Sequence, residues 1–195
     1  MAVLDGAASG GRNVGALLRP LAILLLTCAL GLPLCAQASA QEYQIKAAFL
    51  YNFAKFVEWP PATFQDASGP IHICVLGSTP LDWMMEDMVR DKNVDGRALT
   101  VRKFTNISQA GNCQILFVSA SEQKHQRAIL ESTKTSDVLT VGETDTFVAE
   151  GGVVGFNLER GRIHFDINLQ AAQLQRLRIS SKLLSLATNV RKAQQ

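Results

Sequence analysis

Short aliphatic runs, each closed by a turn signal and separated by helix-forming segments, constrain this chain more than any other feature. The first is Ile71-His72-Ile73-Cys74-Val75-Leu76, closed by Gly77-Ser78-Thr79-Pro80. Residues 98–104 follow, then CQILFVS at 113–119, then residues 137–141 ending at Gly142-Glu143. The apolar runs at 71–76 and 113–119 read as buried strands, and 98–104, which alternates Leu99 and Val101 and carries Arg102-Lys103, and 137–141 read as two further strands. Residues 80–90 place Leu81, Met84, Met85 and Met88 on one side of a helix, with Pro80 in its first turn and Ser78 or Thr79 as cap. Residues 122–132 are polar and helix-forming. The order β-α-β-β-α-β is that of an open, mostly parallel sheet covered by helices.

Both ends of this α/β pattern carry further elements. Residues 42–59 read EYQIKAAFLYNFAKFVEW. Tyr43, Ala47, Leu50, Tyr51 and Ala54 recur at helical spacing, with Phe49, Phe53 and Phe56 as a second stripe. The spacing predicts a heavily buried helix stopped by Pro60 and Pro61. Residues 147–151 read as a short helical turn. Two alternating runs, 153–158 and 162–167, then flank Glu159-Arg160-Gly161, the pattern of a β-hairpin. In its second strand Ile163, Phe165 and Ile167 face one way, and Arg162, His164 and Asp166 the other. Residues 168–190 read as a final helix, interrupted near Arg178. Its last part directs Ile179, Leu183, Leu184, Leu186, Ala187 and Val190 to the core.

The first 40 residues have a different character. Arg12 and Arg19 precede the uncharged run Leu21-Ala22-Ile23-Leu24-Leu25-Leu26-Thr27-Cys28-Ala29-Leu30, and Ala38-Ser39-Ala40 follows. A basic region, an apolar region and an A-x-A site in that order are a secretory signal. The apolar run is shorter than the about 20 residues a spanning helix needs. Cleavage is expected after Ala40, leaving an exported domain from Gln41 to Gln195. Lipid attachment at Cys28 or Cys35 fits poorly, because Thr27 and Leu34 are not the small residues that favour it. The chain has 19 Lys+Arg and 17 Asp+Glu. Loss of Arg12, Arg19 and Asp5 with the signal brings it closer to balance, which argues against a nucleic-acid surface. Cys74 and Cys113 are the cysteines left after cleavage. In an oxidising compartment such a pair is a disulfide candidate, the alternative being two buried thiols.

No signature of catalysis is legible: no G-x-S-x-G, P-loop, G-x-G-x-x-G after the first strand, H-E-x-x-H or C-x-x-C. His72, His125 and His164 lie on different elements at no ligand spacing, so no metal or cofactor is implied. Ser78, at a strand-to-helix turn, is a candidate anion contact or a helix cap. Arg160, Arg162, His164, Arg176 and Arg178 form a candidate small-ligand cluster, if the hairpin and the final helix bring them together. Phe156, Ile163, Phe165, Ile167 and Leu169, on the hairpin and the start of the last helix, are candidates for binding a protein partner.

Several blocks in order are similar to the YfiR-like periplasmic proteins. They are KAAFLYNFAKFVEWP (46–60), IHICVLG (71–77), GRALTVRKF (96–104), CQILFVSASE (113–122), LTVGE (139–143), GGVVGFNLERGRIHFDINLQAA (151–172) and ISSKLLSLATNV (179–190). The resemblance implies a Rossmann-like α/β sandwich with no active site. It further implies repression of an inner-membrane, YfiN-like diguanylate cyclase through its periplasmic domain, and so lower cyclic di-GMP. A YfiB-like outer-membrane lipoprotein that sequesters the inhibitor, a homodimer, and redox sensing through disulfides belong to the same expectation. Cys74 and Cys113 match a disulfide pair of the family; a second family pair has no counterpart here. The other reading of the residues is a periplasmic sensor of a nucleotide or amino acid.

Overall fold

The computed structural model describes residues 33–64, 66 and 68–192. The basic and apolar parts of the expected signal lie outside the described residues. Ala38-Ser39-Ala40 falls within the first helix, α1 (Pro33–Phe56). That helix ends earlier than Pro60 would dictate, because Val57–Glu58 leaves it as a short strand, β1. The chain continues through β2 (Ile71–Leu76), α2 (Leu81–Val89), β3 (Asn93–Val94), β4 (Arg97–Phe104), β5 (Ile115–Val118), α3 (Gln126–Thr133) and β6 (Leu139–Gly142). It closes with β7 (Val154–Glu159), β8 (Arg162–Asn168), α4 (Leu169–Leu174), β9 (Arg178–Ile179), α5 (Ser181–Leu186) and β10 (Asn189–Arg191).

The main sheet has the order β10-β8-β7-β6-β5-β2-β4-β3. Its centre, from β4 through β2, β5 and β6 to β7, is parallel. The hairpin strand β8 is antiparallel to β7, and β3 is antiparallel to β4. Alternate residues of the central strands enter two separate cores, as expected for a sheet covered on both faces. Ile73, Val75, Ile115 and Phe117 pack in the cluster that contains Leu50 and Phe53 of α1 and Leu81 and Met85 of α2. Cys74, Leu76, Leu116 and Val118 pack in the other, with Ile129 and Leu130 of α3 and with Phe147. The result is the mostly parallel α/β sandwich read from the sequence.

Aromatic packing fastens α1 to the hairpin. Phe53 lies 5.9 Å from Phe156 and 5.3 Å from Phe165, centroid to centroid, and Phe49 lies 5.2 Å from Phe165. On the other face, Phe147 is held between two glycines. A Cβ at Gly142 would stand 2.1 Å from its ring, and one at Gly152 2.2 Å. The Cys74–Cys113 disulfide forms beside Leu116, with Cα atoms 5.9 Å apart across a sequence separation of 39. Closing a loop of that size stabilises the fold by about 2–4 kcal/mol. Gln114 ties the N-terminal ends of the strands together. Its side chain accepts from the His72 N–H at 2.7 Å, and its carbonyl accepts from Leu139 N at 2.8 Å and Trp59 Nε1 at 3.0 Å.

The C-terminal segment departs from the single interrupted helix expected over residues 168–190. Asn168 caps α4 by accepting from Ala171 N, and the helix closes before Arg176, whose φ is 54°. Residues 178–179 then pair with β1, and Ser180 caps the separate helix α5. Thr188, Asn189 and Val190 turn from helix to extended chain because the open edge of β8 supplies parallel partners, Asn189 to Asp166 through Arg191 to Asn168. Leu183 is buried as expected, whereas Leu186 is exposed.

Candidate functional site

Open α/β sheets bind ligands outside the carboxyl ends of their strands, where successive connections leave in opposite directions. Here that point lies between β2 and β5, since β4 is added on one side of β2 and β5 on the other. The loops there bond to each other. Ser78 N donates to Ser121 Oγ at 2.9 Å, and Ser119 Oγ donates to Ser78 O at 3.1 Å. Gly77, at φ 95°, has no room for a side chain: a Cβ would lie 2.5 Å from Ser121 Oγ. Ser78 therefore spends its N–H within the fold, and Leu81 N bonds to Thr79 Oγ1 at 3.3 Å at the helix start.

One strand further on, α1 plugs the sheet end. Lys46 Nζ donates to Glu143, which follows β6, at 2.6 Å and to Glu42 at 2.5 Å. The Lys46 and Glu143 side chains are each only 5% exposed. The other carboxylate oxygen of Glu143 accepts from Ala120 N at 2.9 Å, just after β5. The ammonium also sits 4.6 Å from the Tyr43 ring centroid. Burial pulls the Lys46 pKa down, but its hydrogen bonds to Glu143 and Glu42 outweigh that, and the amine is held above its usual value. Burial and the Glu143 charge likewise push the Tyr43 phenol up. Both shifts keep protons on, the opposite of what a lysine nucleophile or a tyrosinate base needs. A lysine on the buried stripe of α1, four residues after Glu42, was the sequence signal for this plug. A glutamate directly after a parallel strand was its partner.

The hairpin end is different. Arg160 and Gly161 have φ values of 50° and 75°, a two-residue loop in which both central residues take positive φ. Beside it an open cavity of about 530 Å3 is lined by Glu159, Arg160, Arg162 and His164. The cation cluster expected from the sequence is only half formed. Arg176 makes a two-pronged bond to Asp137, just before β6, at 2.7 and 2.9 Å. Arg178 lies 3.5 Å from Glu58. Because β7 runs parallel to β6 and extends past its far end, Arg160, Arg162 and His164 stand at the opposite end of the sheet from Arg176 and Arg178.

The proposed apolar contact surface divides too. Phe156, Phe165 and Ile167 are buried in the core, so the folded chain offers no partner surface at them. This corrects the expectation for those three: the α1 side of the hairpin meets Phe49 and Phe53, which cover it. Ile163 and Leu169 are half-buried. The residue missed from the sequence is Leu158, 59% exposed and paired with Ile163 at the tip. It lies on the core-facing side of β7, beyond the reach of that cover. Among the described residues no helix is long and apolar enough to cross a membrane.

The carboxyl ends of β2, β5 and β6 are thus closed by the chain's own groups, and the hairpin tip beside them is open. Residues 43–188 match the YfiR/HmsC-like family, and the chain belongs to it. The family comprises periplasmic regulators of cyclic di-GMP signalling and is regulatory rather than catalytic. Among solved structures, the chain is similar to a conserved domain protein from Vibrio cholerae O1 biovar El Tor, with 11% identity and a TM-score of 0.48. That likeness covers 62% of this chain and 54% of that one. A likeness to the ABC domain in complex with L-Trp from Streptococcus pneumonia has 12% identity and a TM-score of 0.45. It covers 62% of this chain and 55% of that one. The chain thus spans a little over half the length of these structures.

Proposed function

We propose that this protein is exported to the periplasm, where it binds and represses an inner-membrane diguanylate cyclase and so lowers cyclic di-GMP. Family membership supplies the class of partner. The observation that carries the reading from the geometry is the hairpin tip. There Leu158 and Ile163 leave the core on one face of the hairpin, while Arg162 and His164 stand on its other face and Arg160 at the turn between them. Of the expected patch, Ile163 lies at this tip, whereas Leu169 keeps accessible surface at the other end of β8, where the next helix begins. A YfiB-like lipoprotein and a second copy of the chain are further candidates for the same surface. The test is direct binding between the purified protein and the periplasmic domain of the host's membrane cyclase, by calorimetry. Saturable binding that Leu158→Asp weakens at least tenfold supports the reading, and unchanged binding by that variant refutes the assigned surface.

A second reading rests on the cavity over Arg160, Arg162 and His164, whose charge suits an anionic small molecule. It differs in its test, because Arg162→Ala would then abolish ligand binding while leaving the cyclase contact at Leu158 in place.

A further inference from the structure

The main sheet has two edges. At one, β10 is three residues long. At the other, β3 pairs only with Arg97 and Ala98, at the start of β4. Residues 100–104 pair with β2 on one side and, among the described residues, with no strand on the other. The C=O of Phe104 accepts from Gly77 N at 3.1 Å, on the β2 side. Backbone groups alternate between the two sides of a strand. Those of Thr100 and Arg102 therefore also serve β2, and those of Val101 and Lys103 point outward. An outward row of N–H and C=O groups is a template for a further strand. Nothing local blunts it: residues 97–104 contain no proline, and their register with β2 is unbroken.

Charge is divided between the two faces of this edge. On the α2 face, Lys103 bonds to Asp82, and Glu86 stands one turn further along the same flank of the helix. Glu86 is exposed and has no ion-pair partner among the described residues. Trp83, 58% exposed, neighbours it at i,i+3. On the other face Arg102 is exposed, and its guanidinium meets His72 Nε2 at 3.2 Å. Burial and the Arg102 charge hold the His72 pKa below its ordinary value, so the imidazole accepts as a neutral group and leaves the cation unbalanced.

We propose that β4 takes up an extended segment of another protein as an added strand, and that this segment carries an acidic residue facing Arg102 next to a basic residue facing Glu86. Neighbouring residues of a strand point to opposite faces, so the two charges fall at consecutive positions. The backbone of Val101 and Lys103 supplies the pairing, and the charges select the partner. A second copy of this chain does not meet that requirement. Antiparallel pairing of β4 with itself across the free residues brings Arg102 and Lys103 of both copies together, and opposed like charges are destabilising. The edge is separate from the hairpin and does not rest on the identity of the cyclase partner.

The experiment uses the purified, 15N-labelled protein and three end-blocked hexapeptides as probes: TVEKVT, TVKKVT, and TVEKVT with its lysine N-methylated. The expected result is slowed hydrogen exchange at the Val101 and Lys103 amides with TVEKVT at millimolar concentration. TVKKVT should bind at least fivefold more weakly, and the N-methylated peptide, which keeps the charges and loses a backbone donor, should not protect. Arg102→Glu should weaken TVEKVT at least tenfold. Val101→Pro should fold, because an edge strand tolerates proline where the N–H faces solvent, and should abolish protection at Lys103. Should that variant fail to fold, the N-methylated probe decides the backbone pairing. No slowed exchange with any probe overturns the proposal, and equal binding of TVKKVT overturns the charge assigned to the partner. Protection of these amides in the free protein that grows with its concentration would give the edge to a second copy, and overturns it too.

Discussion

Two regions at the same end of the sheet show opposite solutions to the same exposure. Over β2, β5 and β6 the strand ends are stopped by the chain's own groups: Ser78, Ser119 and Ser121 bond among themselves, and Lys46 closes onto Glu143. A few strands away, β7 and β8 run on past their neighbours into a tip whose cations and whose Leu158 face outward. Where a parallel α/β sheet ordinarily holds a ligand, this one is internally satisfied. Where it carries an added hairpin, it is not. On the proposed function, the appended antiparallel element meets the partner and the parallel centre serves as scaffold.

The largest expected effect comes from breaking the plug. Lys46→Met leaves Glu143 buried without its cation, and should cost about 3–5 kcal/mol in urea denaturation. The double variant Lys46→Met/Glu143→Leu should recover most of that, because a buried ion pair replaced on both sides by apolar groups is often neutral. Recovery of stability with unchanged partner binding would sharpen the contrast between the two regions. Lost partner binding in the double variant would break it.

Next in size is the scaffold beneath both regions. Cys74→Ala/Cys113→Ala should cost about 2–4 kcal/mol without altering the partner surface. Gly152→Ala, which drives a methyl into the Phe147 ring, should cost about 1–3 kcal/mol by overpacking.

The plug also has a pH signature. Lys46 is held above its ordinary value of 10.5 and Tyr43 above 10.0. A raised folded-state pKa gives stability that is fully present below the unfolded value and is lost as pH rises through the folded one. Melting temperatures should therefore fall more steeply above pH 10 in the wild type than in the Lys46→Met/Glu143→Leu double variant. Equal slopes would deny the ion pair its part.

The smallest effect on stability is expected at the hairpin tip. Leu158→Asp should change unfolding free energy by no more than about 0.5 kcal/mol, as exposed substitutions do. Its loss should appear in binding alone.

β2 and β6 were legible because each apolar run ends at a glycine, Gly77 and Gly142. The hairpin was legible from period-two alternation around Gly161. The last segment was not, because nothing local stops α4: Arg176 takes φ 54° without being glycine, and β10 exists only because β8 offers an open edge. The cations at 160, 162 and 164 follow from strand alternation. Their separation from Arg176 and Arg178 follows from the direction of β7 against β6, which is a tertiary fact. Phe156 and Phe165 looked like surface candidates because alternation gives a face without saying which face a helix covers.

The most direct test is intracellular cyclic di-GMP in the native host, with the gene deleted and then restored as wild type or as Leu158→Asp with its export signal intact. The expected result is a rise on deletion, a return to the original level with the wild type, and no return with Leu158→Asp despite equal protein abundance. An unchanged level on deletion, under conditions where the protein is made, would contradict repression of a membrane cyclase.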